Sequence, residues 1–191
     1  SRRRPTRSHC VWRQKKHVSD HAPTGDSWEN ALPELADALA WAREQWGSDG
    51  EEAGWDEQNP LKIFVAKGVY TPLYSPNPDD PVAEHKTFLM VPYVEIYGGF
   101  DPESGITSLN HRRIFPGIGG SGTILSGDLN GDDNLVWDEL QGKWLHQNRD
   151  DNVYQVVLTV HDQGAVIIDG VEISGGNAIG QPYNYMVDQV S

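Results

Sequence analysis

The chain has a single cysteine, Cys10, among 191 residues, so it forms no internal disulfide. A lone thiol is compatible with either an oxidising or a reducing compartment. Long apolar runs are missing as well: no stretch approaches the roughly 18 residues a membrane helix needs, and the mean hydropathy is −0.57. No transmembrane segment is expected. Basic residues are scarce after the start of the chain. Residues 1–17 hold seven of the fifteen Lys and Arg and no acid, which leaves a net charge of −20 on the remainder. A surface that acidic repels phosphate, so nucleic acid is not expected as a partner of the body. The basic start is followed by no apolar core of the kind a signal peptide requires. Residues 1–20 are expected to be a basic leader, disordered or non-native.

Glycine (20 residues) and proline (12) are both somewhat enriched, as suits a turn-rich β protein. Three short apolar runs each end in a glycine-bearing corner: Val94 to Gly99, Thr123 to Asp128 and Val171 to Gly176. Such recurrence points to a solenoid, whose coils bury their apolar faces only by stacking. A helix is predicted at about 33–46, with Pro33 in its first turn and Leu35, Ala38, Leu39, Ala42 and Trp46 on one face. It is suited to cover an open end of a solenoid, with Trp28, Trp41 and Trp46 expected in the core. Residues 47–60 are expected to be an acidic surface loop. Strands are predicted at Leu61 to Ala66, Thr87 to Met90, Val94 to Tyr97, Thr123 to Leu125, Val153 to Val160, Ala165 to Ile168 and Val171 to Ile173. Four prolines between residues 72 and 82 keep that segment out of any sheet. The near-continuous apolar runs at Val156 to Leu158 and Val166 to Ile168 read as parallel strands, and hairpin turns of the Asn-Gly type are scarce.

The ordered series Ser27 to Ala31 with its helix, Ile63 to Pro72, Val94 to Phe100, Thr123 to Asp133 and Ile167 to Ala178 resembles the N-terminal part of bacterial right-handed parallel β-helix proteins. These are pectin-lyase-like surface proteins, similar to chlamydial polymorphic outer-membrane proteins. The resemblance spans about residues 25–178. It implies an all-β fold, a right-handed parallel β-helix forming a short solenoid with an N-terminal capping α-helix and long loop excursions. The β-helix domain is then 21–178, followed by a tail or truncated coil at 179–191. It also implies secretion or a place on the bacterial cell surface.

Candidate chemistry concentrates after the second corner. Asp128, Asn130, Asp132 and Asn134 alternate oxygen-bearing side chains, and Glu139 stands twelfth from Asp128, a pattern like that of an EF-hand calcium loop. Asp133 occupies the sixth position, where such a loop wants glycine. The alternative is an acidic turn whose aspartates cap its own backbone. Trp137, Trp144 and Tyr154 flank this segment. They are candidates for stacking against a polysaccharide or cell-surface glycan, although a tryptophan in a long excursion more often pins the loop to the body. The pairs Asp79-Asp80 and Asp150-Asp151 have the composition of a glycosidase site, but adjacent loop carboxylates read better as solvated charge. Asp169 and Glu172 read as a turn residue and an outward side chain.

A polysaccharide lyase would need a base and a cation, and Arg112-Arg113 is the sole basic cluster of the body. His9, Cys10, His17 and His21 fit no common zinc spacing. The other histidines, His85 among them, are expected on the surface. Three functions follow: a non-catalytic module for adhesion or for carbohydrate or matrix binding, a carbohydrate-active lyase or hydrolase, and a subunit that self-associates through exposed coil ends.

Overall fold

A computed structural model describes residues 24–47, 53–112, 114, 122–160 and 164–178, together with the backbone of residues 10–12. Of the residues weighed for zinc, His9, His17 and His21 lie outside the described residues and only the backbone of Cys10 is described; Arg113, all but three residues of the basic leader, and residues 179–191 also lie outside. Strand dominates. The elements are β1 (Cys10–Trp12), α1 (Leu35–Trp46), β2 (Leu61–Ala66), β3 (Gly68–Tyr70), β4 (Phe88–Leu89), β5 (Val94–Phe100), β6 (Thr123–Ser126), β7 (Asn134–Asp138), β8 (Lys143–Gln147), β9 (Val157–Leu158), β10 (Ile167–Asp169) and β11 (Glu172–Ser174). Two single turns of 3-10 helix, at Ala83–His85 and Pro102–Ser104, complete the described secondary structure.

Three sheets are parallel, with strand orders β1-β2-β5-β10, β11-β6-β3 and β4-β9, and none closes into a barrel. Setting aside β1 and the inserted β7 and β8, the chain visits these sheets in strict rotation. β2, β3 and β4 are followed by β5, β6 and β9, and then by β10 and β11. Neighbouring strands in a sheet are therefore one rotation apart in sequence. Side chains align in columns: Ile63 opposes Ile96, which opposes Ile168, while Phe64, Tyr97 and Asp169 form the column on the other face. The first column is apolar because it faces the core, in which Ile63, Ile96, Leu125 and Val153 are fully buried. Burying a side chain of that size contributes about 1.5–3 kcal/mol.

The corners differ in length. Lys67 alone separates β2 from β3, and Gly170-Val171 separates β10 from β11. The passages from the second sheet to the third are long in both rotations: the proline-rich segment between β3 and β4, and the excursion of residues 127–156 between β6 and β9. Stacking is close at the glycines. A Cβ on Gly98 would overlap the backbone oxygen of Gly170, and one on Gly127 would lie 2.5 Å from that of Gly175. Left-handed backbone is needed at Gly99, where φ is 85°, but not at Gly98 or Gly127. At those two positions glycine is required for space.

Helix α1 packs against the core. Leu35, Ala38, Leu39 and Ala42 face inward as the spacing predicts, joining Leu61, Tyr70 and Phe88 in one cluster. The tryptophans depart from expectation. Trp41 is 39% exposed and Trp28 and Trp46 are half-buried, whereas Trp55, in the segment read as a surface loop, is 7% exposed. Its indole N–H donates to Pro92 O at 3.1 Å, and its ring lies 5.8 Å from that of Trp46. The Pro92 acceptor satisfies the Trp55 indole N–H, which lets that ring take an interior site. Trp28 instead packs outside the sheet on Phe100, 5.3 Å away, and donates to Thr107 O.

Candidate functional site

The excursion after β6 is built in two stages, a folded acidic corner and a projecting hairpin. At the corner the Asp128 carboxylate accepts three backbone N–H groups: Gly131 (2.7 Å) and Asp132 (3.2 Å) on one oxygen, Asp133 (3.0 Å) on the other. This is the self-capping turn that short aspartate side chains favour. The returning chain closes it. Asp151 accepts the Asn130 N–H at 2.9 Å, Asn152 donates its amide to Asp133 at 2.9 Å, and Asn148 donates to Asp132 O at 3.0 Å.

The result is a crowd of carboxylates. Asp128, Asp132 and Asp151 each offer an oxygen within 4.8 Å of the others, and together they could hold a metal ion. The Asp132 carboxyl is raised above the ordinary aspartate range by partial desolvation first and then by the charges of Asp151, Asp128 and Asp133. Of the residues proposed from the calcium-like spacing, the structure brings Asp128 and Asp132 together and adds Asp151, which sequence read as solvated. Asn134 begins β7, where its side-chain oxygen accepts the Leu135 N–H. Glu139 lies beyond the end of β7, about 16 Å of extended chain from Asn134. The loop therefore does not wrap the five residues around one centre. Asp151 is invisible to a spacing rule because it arrives from the far end of the excursion.

Strands β7 and β8 pair antiparallel, Asn134 opposite Gln147 through to Asp138 opposite Lys143. No Asn-Gly turn makes this hairpin. Asp138 closes it by accepting the N–H groups of Leu140 (2.8 Å) and Gln141 (3.0 Å), with Gly142 left-handed at φ 61°. Trp137 and Trp144 stand directly opposite each other, ring centroids 5.5 Å apart and edge to face. They are 47% and 59% exposed. Alternation puts Leu135 and His146 on the same face of the hairpin. The two tryptophans thus pair with one another and do not pin the excursion to the body. Tyr154 does pin it: its ring lies 5.4 Å from His85 and its N–H donates to Glu84 O.

His85 itself is buried, contrary to its reading as a surface residue, and its Nδ1 lies 2.6 Å from Asp80, whose side chain is also buried. Asp80 is accordingly no solvated carboxylate. Asp169 ends β10 and pairs with Arg112, so it is a strand residue in an ion pair and not a free turn residue. Arg112 also donates to Gly98 O and lies 5.1 Å over the Tyr97 ring. It straps β5 to β10. The Tyr97 hydroxyl is pushed up to about 12 by burial and by its hydrogen bond to Glu95. None of these groups forms an open acid and base pair. Among the described residues no helix is long and apolar enough to cross a membrane. The chain gives no match to family models, to curated proteins or to solved structures.

Proposed function

We propose that the chain is a right-handed parallel β-helix module of the pectin-lyase-like kind, secreted or displayed on a bacterial surface, that binds carbohydrate without transforming it. The β-helix reading is supported by the rotation through three parallel sheets, because a chain that returns to each face once per coil generates that order of strands. The binding reading rests on one observation, the exposed Trp137 and Trp144 pair on a hairpin that leaves the body. A pyranose ring has an apolar C–H face that packs on an indole, while its hydroxyls take hydrogen bonds from groups such as His146 and Gln141. A few convergent polar groups beside an aromatic platform are the usual composition of such sites. The acidic corner at the base of the hairpin is the place a calcium ion would serve, holding the platform's root in one geometry.

The experiment is a glycan array probed with the full chain and with the Trp137→Ala/Trp144→Ala variant. Retained binding by the variant would sink the hairpin assignment. Release of reducing ends or of unsaturated uronate from a bound polysaccharide would replace the binding reading with the lyase or hydrolase one.

A second reading has its own support. β9, β10 and β11 are each outermost in their sheet, and Ile167 and Ile173 are exposed there. Among the described residues these edges have no further strand beside them, and such parallel edges accept further strands, so self-association through this coil end is the alternative. Sedimentation that stays monomeric across a hundredfold range of concentration would reject it.

A further inference from the structure

Away from the hairpin, α1 and the proline-rich segment enclose a cavity of about 530 Å3. The prolines keep that segment out of the sheets, so it crosses the helix as a separate rope. It is tied there by Tyr74 donating to Asp37 (2.6 Å) and by Arg43 donating to Pro76 O (3.3 Å). The volume lies in the range of roughly 300–1,000 Å3 typical of small-molecule sites. Leu39 and Phe88, both buried, supply an apolar floor.

The polar lining is unusual for so acidic a protein. Two of the eight basic residues after position 17, Arg43 and Lys86, meet at this cavity. Lys86 makes no ion pair among the described residues. Arg43 has five N–H donors and spends one on Pro76 O. Of the two acids in the lining, Asp80 is already engaged by His85 and by the Val82 N–H, and Glu44 is exposed. Ser75 also lines the cavity, but its hydroxyl oxygen is buried beneath the surface. An apolar floor and two available cations ask for a ligand with the complementary parts.

We propose that this cavity binds a small amphiphilic carboxylate, its aromatic or branched body on Leu39 and Phe88 and its carboxylate held by Lys86 and Arg43. The site is separate from the hairpin and stands whether or not carbohydrate binding does.

The test titrates the full chain with naphthalene-1-acetate and, in parallel, with the neutral naphthalene-1-acetamide, by calorimetry. Saturable one-to-one binding of the acid is expected, with the amide about tenfold weaker because the charge-assisted bonds are lost. Lys86→Ala should lower the acid's affinity about tenfold and leave the amide unchanged. Ala40→Trp, which fills the cavity from an exposed helix position, should abolish both, and Lys62→Ala should change neither. Circular dichroism verifies that each variant folds, and Lys86→Gln replaces Lys86→Ala if the latter does not. The proposal is overturned if no saturable binding occurs at millimolar acid, if acid and amide bind equally, or if the Lys86 variants bind the acid as the parent does.

Discussion

The stacked body and the projecting hairpin obey opposite rules. In the body a two-residue strand, Phe88–Leu89, is ordered because it lies within a shared core with Phe88 buried. In the hairpin, strands of five residues pair only with each other, and eight of their ten residues are exposed. Strand length is therefore no guide to what the fold needs here. An isolated two-stranded hairpin is marginal in water, so this one depends on the acidic corner that roots it. Its apolar residues, Leu135, Val136, Trp137 and Trp144, do little for folding and remain available for contact.

The comparison breaks most violently at the glycines. Gly98→Val would force a side chain against the backbone oxygen of Gly170. The loss should exceed the ~1–3 kcal/mol usual for overpacking, since backbone cannot move aside. Urea titration should find the variant unfolded or nearly so, and a native-like midpoint would mean that the coils do not approach this closely. Next comes Leu125→Ala, a fully buried truncation expected to cost about 2–5 kcal/mol. The hairpin pair should behave differently: Trp137→Ala/Trp144→Ala should cost no more than ~1 kcal/mol of stability, the scale of a cross-strand pair, while removing glycan binding. Equal destabilisation by the Leu125 and tryptophan variants would erase the distinction between the regions.

Smaller effects sharpen it. If Asp128, Asp132 and Asp151 hold calcium, millimolar ion raises the melting temperature of the parent chain but not of Asp151→Asn, because a ligand of the native state alone stabilises it. No shift would leave the corner as a self-capped turn. The smallest change concerns Asp132. Its folded-state carboxyl is raised, so the native state holds this proton more tightly than the unfolded chain does. Its contribution to stability therefore increases as pH falls through the folded value and is least favourable above it. Asp132→Asn should give a slight upward shift in melting temperature at neutral pH that vanishes in acid, and a shift that persists in acid would assign the effect to something other than charge.

Much of the body was legible in sequence because its signals are local. The spacing of Leu35, Ala38, Leu39 and Ala42 fixes the inward face of α1, the runs around Ile63, Ile96 and Leu125 mark strands, and the near-continuous apolar runs at Val156 to Leu158 and Val166 to Ile168 point to the parallel pairing that β9 and β10 make. Other features depend on partners far away in the chain. Trp55 is buried because Pro92 supplies an acceptor, His85 because Asp80 folds back onto it, and Asp151 joins Asp128 only once the hairpin has closed. The hairpin escaped notice because Asp138, not an Asn-Gly pair, makes its turn. Strand ends were also overextended: Val153 to Val160 yields only Val157–Leu158 as strand, since β4 offers just two residues to pair with.

Both long insertions leave the chain at the same passage, from the second sheet to the third, in successive rotations. The entropy of closing a loop grows only with the logarithm of its length, about 0.6 kcal/mol per doubling. A corner that already tolerates some thirty residues can therefore accept a different segment at little thermodynamic penalty. Mutation can rewrite this edge of the molecule while the columns of Ile63 and Ile96 stay as they are. The same corner is where a foreign epitope or binding loop could be grafted between Asn134 and Gln147.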